Sequence, residues 1–258
     1  MVPRGPLVVA ATGAFSAFAY GGGAALDPDP VAAGPAAVTS AGDTGSGAIA
    51  GKVSFSGTTP PPQRVKLSAD PKCAAIHKDG LELQPVKVKD GGLADVLVYV
   101  KSVLAGSYPP PAEPVLLDQS GCEYHPRMVV LMAGQPLRIR NSDDTLHNIH
   151  PRPTVNKAFN IGQPRQGMEA TRTFEEPELM IPTACEVHPW MRAYISVLAH
   201  PFFAVTKEDG SYEIRALPDG EYDVEAVHSQ LKNVTGKVSV KDGKTSKLDL
   251  TFKSPTSG

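Results

Sequence analysis

The sequence predicts an all-β chain made of two sandwich-like units. Three observations predict it. Short apolar stretches alternate with period two, no long stretch keeps a 3.6-residue apolar period, and turn-forming residues separate the stretches. Gly (24) and Pro (25) are both abundant, which suits turn-rich β structure and linkers. The 258 residues suffice for one large or two ordinary domains. A net charge of −2 implies neither a polybasic nor a polyacidic partner and argues against nucleic acid as a ligand.

In chain order, residues 1–19 read as a secretory signal: one Arg, a small apolar run from Leu7 to Ala19, and an A-x-A pattern at Ala17-Phe18-Ala19. The alternative is an uncleaved anchor, because the run extends through Ala and Gly to Leu26, near the ~20 residues that a span needs. No cysteine lies here to carry a lipid anchor. The expectation is an exported protein, periplasmic or extracellular. Residues 20–46 are rich in Gly, Ala and Pro without periodicity and read as a flexible linker.

Residues 47–112 form an N-terminal β segment. "AIAGKVSF" puts Ile49, Gly51, Val53 and Phe55 on one face, and "GTTPPPQ" ends that strand because proline donates nothing to a ladder. "ADVLVYVKS" is apolar on both faces and reads as an interior strand. "SYPPPAEP" is a break and candidate boundary. Residues 113–200 hold the strand candidates "EYHPRMVVLMA", "QPLRIRNSD", "LHNIHP", "EATRTFEEP", "LMIPTACEV" and "AYISVLAH". Residues 201–253 read as a second all-β unit, with D-G and P-D-G turns and a hairpin expected around Asp242-Gly243.

Three cysteines in an exported chain leave one over. Export favours a Cys73–Cys122 bridge, with Cys185 free for chemistry. Such a bridge closes a loop of roughly 50 residues, worth about 4 kcal/mol in the chain-entropy model. The other reading leaves all three thiols reduced.

The chemistry concentrates in "ACEVHPWM", where Cys185, His188 and Met191 stand within one short loop. An electron-transfer copper site needs two imidazoles, a thiolate and a weak axial thioether. The loop offers three of these. "NSDDTLHNIH" supplies the other imidazole, and His147 is the chosen ligand. Asn141, Asn148 and His150 are candidates to hold the ligands by hydrogen bonds, His150 with ligation as its alternative. Pro189 and Trp190 are candidates for an apolar docking patch beside His188. Each has a plainer reading: Cys185 as a buried thiol, Met191 as core filler, Trp190 as packing. His77, His125, His200 and His228 read as structural or solvated, His125 being the first exception to consider. Asp143 and Asp144 read as turn formers. Zinc is the rival ion, but Met is an unusual ligand for it. No Ser-His-Asp order, P-loop, dinucleotide loop or C-x-x-C-H haem motif is present.

"LRIRNSDDTLHNI" followed by "TRTFEEPELMIPTACEVHPWMRAYISVLAH" resembles the copper half of a cupredoxin. "HPFFAVT-x-x-DGSY-x-I-x-x-LPDG" resembles secreted bacterial proteins described as methylamine-utilisation-like or carboxypeptidase-regulatory-like. The resemblance covers nearly everything after residue 47. It implies a cupredoxin-like Greek-key sandwich joined to a transthyretin-like β-sandwich, and one copper ion held by His147, Cys185, His188 and Met191. It also implies electron exit through the edge of His188 to a redox protein. Plastocyanin-like loops usually place four residues between His and Met. Here there are two, as in the binuclear domain of cytochrome oxidase subunit II, which has a second loop cysteine that this chain lacks. "GAIAGKVSFSG" resembles the opening strand of a regulatory-like module whose continuation comes only at 206–222, so the copper domain is expected to be an insertion within that module.

The functional expectation is a one-electron carrier, not an enzyme. One alternative is a binding module that attaches to an envelope glycan or protein through its C-terminal unit, with copper structural or stored. Another is a copper enzyme with an open coordination position.

Overall fold

The computed structural model describes residues 44–67, 70–102 and 106–254, together with Met1. The signal segment and nearly all of the linker lie outside the described residues. The described chain is almost wholly β, with one short helix, Pro71–Ile76. None of its helices is long and apolar enough to cross a membrane.

Two sandwiches account for most strands. In one, a four-stranded sheet (Glu169–Arg172, Leu137–Asn141, Val115–Ser120, Glu123–His125) faces a five-stranded sheet (Ile161–Gln163, His147–Pro151, Glu178–Ala184, Arg192–Leu198, Met128–Met132). Their inner faces bury Leu117, Val129, Leu131, Leu137, Ile139 and Ile195, as period-two alternation demands when one face meets a core. We call this the first sandwich. "EYHPRMVVLMA" is not one strand but two, Glu123–His125 and Met128–Met132, which belong to opposite sheets. The His125–Pro126 bond, which is cis, lies where the chain crosses between them.

The second sandwich joins distant parts of the chain. Gly47–Ser56 pairs with Ser211–Leu217, Thr245–Lys247 and Leu250–Lys253, and with none of the strands between 115 and 198. The facing sheet runs Phe203–Val205, Leu97–Val100, Gly220–His228, Leu231–Val240. Ile49, Val53, Val98, Phe202, Val224 and Phe252 are buried between the two sheets.

The hairpin expected around Asp242-Gly243 does not form. Leu231–Val240 pairs with Gly220–His228, while Thr245–Lys247 crosses to the other sheet and runs parallel to Gly47–Ser56. Leu250 and Phe252 thereby reach the core from the sheet opposite Val240. Asp242 and Gly243 both have positive φ, which permits the tight turn. A tight turn specifies the reversal but not which edge accepts the returning strand. A smaller apolar seam (Leu97, Tyr99, Met128, Val130, Leu198, Val227) joins the two sandwiches.

A third element sits at one end of the first sandwich. The hairpin Gln63–Val65/Leu81–Leu83 and the helix pack Leu67, Cys73 and Leu81 against Cys122 and Trp190. Cys73 and Cys122 are joined by a disulfide. The helix was not expected from the sequence. Its local signal is Asp70 followed by Pro71, an N-cap and a first-turn proline.

Candidate metal centre

His147 opens the strand His147–Pro151, which pairs with Ile161–Gln163 and Glu178–Ala184. Cys185 follows the strand Glu178–Ala184, and His188 lies in the connection to Arg192–Leu198. The Cys185 N–H donates to Met191 O at 3.2 Å, and the Met191 N–H donates to His188 O at 2.9 Å. The backbone therefore folds the whole Cys185–Met191 loop into one tight turn above the sheet.

This brings His147, Cys185 and His188 together, their ligand atoms all within 4.8 Å of one another. The two Nδ1 atoms are 2.9 Å apart, and His188 Nδ1 is 3.8 Å from Cys185 Sγ. All three residues are buried. Met191 is also buried, in the same apolar cluster as Cys185.

The outer nitrogens of both rings are occupied. His147 Nε2 bonds Asp143 Oδ2 at 2.8 Å, and His188 Nε2 bonds Asp70 Oδ2 at 2.8 Å. Each carboxylate is anchored in turn. Asp143 accepts the N–H groups of Gly121 and Cys122 at 2.8 and 2.7 Å. Asp70 caps the helix with Oδ1, which accepts from the Lys72 and Cys73 N–H groups, while Oδ2 accepts from Thr145 and faces His188. A carboxylate on Nε2 favours the tautomer with its proton there, leaving an Nδ1 lone pair for an ion.

Asn148 orders the thiol. Its Oδ1 accepts from the Glu186 N–H at 2.6 Å and from Cys185 Sγ at 3.3 Å, and its amide donates to Asn160. Cys185 Sγ also accepts the His188 N–H at 3.3 Å. Asn141 braces the preceding turn, donating to Thr145 O and Gln163 O at 2.8 Å each. His150 lies apart from the cluster. It faces the surface and pairs with Glu186, which also meets Arg152. Strand alternation sends its ring away from His147.

The electrostatics follow from this packing. Burial pushes the Cys185 thiol up, but the two imidazoles and nearby donors outweigh it and hold it at about 6. Burial pulls His147 down, while Asp143 and Cys185 raise it to about 8. For Asp70, burial is outweighed by the Cys73 N–H, His188, the Lys72 N–H and Thr145, which hold the carboxyl at about 2.

Trp190 and the His188 edge differ from expectation. The Trp190 ring is 4.9 Å from the His188 ring, and its Nε1 donates to Cys122 O at 3.0 Å. Its half-buried indole packs on the disulfide-linked element. The His188 side chain is only 2% exposed, with Asp70 and the disulfide over its edge. Pro189 and its neighbour Val187 are exposed.

Asp70 and Asp143 are site residues that the sequence reading missed. The i, i+4 spacing of Asp143 and His147 was an available signal. No local signal links Asp70 to His188. Asp144, by contrast, is a surface residue paired with Lys72. His125 is exposed, His77 bonds Gly121 O, His200 bonds Val100 O, and His228 is buried in the second sandwich.

No family model and no curated protein matches the chain. Solved structures similar to parts of it include the copper-containing nitrite reductase from Thermus scotoductus SA-01. That match has 21% identity and TM-score 0.29, over 37% of this chain and 24% of that one. The chain therefore spans about a quarter of the reductase's length. A purple cupredoxin from Nitrosopumilus maritimus is similar at 22% identity, TM-score 0.28, over 32% of this chain and 97% of that one. Amicyanin from Paracoccus versutus is similar at 22% identity, TM-score 0.30, over 39% of this chain and 96% of that one. At these scores the likenesses carry no argument about the site, which rests on its own geometry.

Proposed function

We propose that the chain is a mononuclear copper protein that carries single electrons, in which His147, Cys185 and His188 would hold the ion, with Met191, buried in the same cluster as Cys185, as the further ligand. The observation that carries this reading is the triangle of two inward Nδ1 atoms and one thiol, with both Nε2 atoms tied to carboxylates. The two ring nitrogens and the sulfur lie close enough together that one ion would be held by all three residues. One thiolate with two imidazoles suits both oxidation states of copper, which supplies a one-electron couple when bound.

The protein's own groups do the rest. Asp70 and Asp143 orient the rings, Asn148 fixes the loop by accepting the Glu186 N–H, the His188 N–H donates to the sulfur, and burial keeps water off the ligands. Fixed ligands limit rearrangement between oxidation states. A redox partner would dock on the exposed Val187–Pro189 part of the loop, because the Nε2 edge of His188 is covered. The Cys73–Cys122 disulfide also fits export to an oxidising compartment.

The test is to load the purified chain with Cu(II) and record visible absorption and electron paramagnetic resonance spectra. One copper per chain, an intense thiolate-to-copper band and narrow hyperfine splitting are expected. A weak d–d band alone would remove Cys185 from the ligand set and sink the reading.

A further inference from the structure

His147, Cys185 and His188 are all buried, and one of their covers comes from a distant part of the chain. Asp143 covers His147 Nε2 from within the first sandwich, where it accepts from the Gly121 and Cys122 N–H groups. His188 Nε2 is covered by Asp70 at 2.8 Å, with Cys73 Sγ at 3.7 Å, both brought by the helical element. Among the described residues, the strands Gln63–Val65 and Leu81–Leu83 of that element pair with each other and with no other strand. The chain enters the element from Gly47–Ser56 and leaves it for Val88–Lys89. Those two strands are linked through Gly92–Leu93 in one sheet of the second sandwich. The element is therefore an excursion rooted in the second sandwich, and its tip closes the site of the first.

The tip is fastened to the first sandwich by several weak contacts and one strong one. His77 Nε2 donates to Gly121 O at 2.7 Å, Asp70 accepts from Thr145 at 3.2 Å, and Lys72 pairs with Asp144 at the surface. Single hydrogen bonds and exposed ion pairs each hold weakly in water. The strong fastening is the Cys73–Cys122 disulfide, which ties the helix to the turn between Val115–Ser120 and Glu123–His125. We propose that this element, the hairpin with its helix Pro71–Ile76, is a lid on the metal centre. It lifts to admit the ion while Cys73 and Cys122 are thiols, and the disulfide then locks it shut. Locking removes two electrons and two protons from the two thiols. A disulfide of a second molecule accepts them and becomes two thiols. Loading therefore precedes oxidation, and the locked chain holds its ion by a kinetic barrier in addition to affinity. The inference rests on the copper reading only for the identity of the ion.

The lid can be read without any metal. The chain has three cysteines, so Cys185 is the one thiol open to a maleimide both in the disulfide-bonded chain and in Cys73→Ser/Cys122→Ser. Its alkylation in the full, metal-free chain is followed by mass across urea concentrations below the unfolding midpoint. In the natural chain, labelling is expected to require global unfolding and so to rise with urea at the full unfolding slope. In the double variant, labelling without urea is expected to be about tenfold faster or more. There it should hardly depend on urea, because lifting a lid exposes far less surface than unfolding does. Extraction of loaded copper by a chelator should accelerate in the same variant, from the same one ion per chain.

Equal labelling rates in the two chains overturn the proposal. So does faster labelling in the variant that keeps the full unfolding slope, because the bridge then acts on global stability alone. If the double variant does not fold, Lys72→Ala/His77→Ala in the disulfide-bonded chain decides. A locked lid keeps its labelling at the full unfolding slope, and fast, urea-independent labelling of that chain overturns the lock. Failure of the copper reading appears separately, as no thiolate-to-copper band in either chain after Cu(II) is added.

Discussion

The two sandwiches share one grammar and differ in what they bury. The second is packed with aliphatic and aromatic side chains, and its buried polar groups are few: Thr206, Glu225 and His228. The first buries His147, His188, Asp143, Asn141, Asn148 and Gln163, most of them at one end. Burying polar groups is costly unless each is bonded, and here each has a named partner. The difference teaches that alternation builds the scaffold, whereas chemistry is marked by polar residues where alternation calls for apolar ones.

The contrast is broken most sharply by changes at buried side chains. Cys185→Ser should abolish the thiolate-to-copper band entirely, while Thr206→Val in the other sandwich should leave it unchanged. Visible absorption of the loaded variants checks both. Removing the disulfide by Cys73→Ala/Cys122→Ala should cost about 4 kcal/mol in the chain-entropy model, measured by urea unfolding. Phe252→Ala should cost about 3–5 kcal/mol, since the ring is fully buried. In that variant the copper band of the folded fraction should not move. A shifted band would mean the two sandwiches are coupled through their common seam.

Smaller effects sharpen the comparison. Asn148→Ala should weaken copper about tenfold to a hundredfold, because the Glu186 N–H beside Cys185 loses the acceptor that fixes the loop. A competition titration with a chelator measures this. The smallest effect at neutral pH belongs to His228. Burial first, and then the Arg127 charge, lower its pKa to about 4, against a weaker opposing pull from Asp95. A lowered folded pKa means that the unfolded chain binds the proton more readily. Stability from this group is therefore present above about 6.5 and is lost as pH falls towards 4. A proton-resonance titration of His228 should show a midpoint near 4, and a midpoint near 6.5 would refute the buried neutral state.

Much of the scaffold was legible. "LRIRN", "HNIHP" and "AYISVL" became strands because period two is a local property that survives into the sheet. "EYHPRMVVLMA" is two strands because His125, Pro126 and Arg127 interrupt it, but that local break does not show that the two halves join different sheets. The C-terminal hairpin was misread for a related reason. A D-G turn reports a reversal, and the parallel edge of Gly47–Ser56 that captures Thr245–Lys247 lies nearly two hundred residues earlier. Within the site, the Cys185–Met191 loop is contiguous and so could be read. Alternation lets only one of His147 and His150 face the site, His147 is the one that follows the strand "PLRIRNSD" and its polar turn, and only His147 lies in the cluster.

By itself, the sequence determined the all-β character, the spacing of Cys185, His188 and Met191, and the presence of a histidine on a neighbouring strand. These are matters of period and short loops. Tertiary structure alone decided that Asp70 and the helix it caps would close over His188, 118 positions away. It also decided that Trp190 would lean on the disulfide-linked element and that Asp143, in its turn, would also be a buried partner of His147. Those outcomes depend on which surfaces meet, and a hydrogen bond between distant segments leaves no periodicity in the chain.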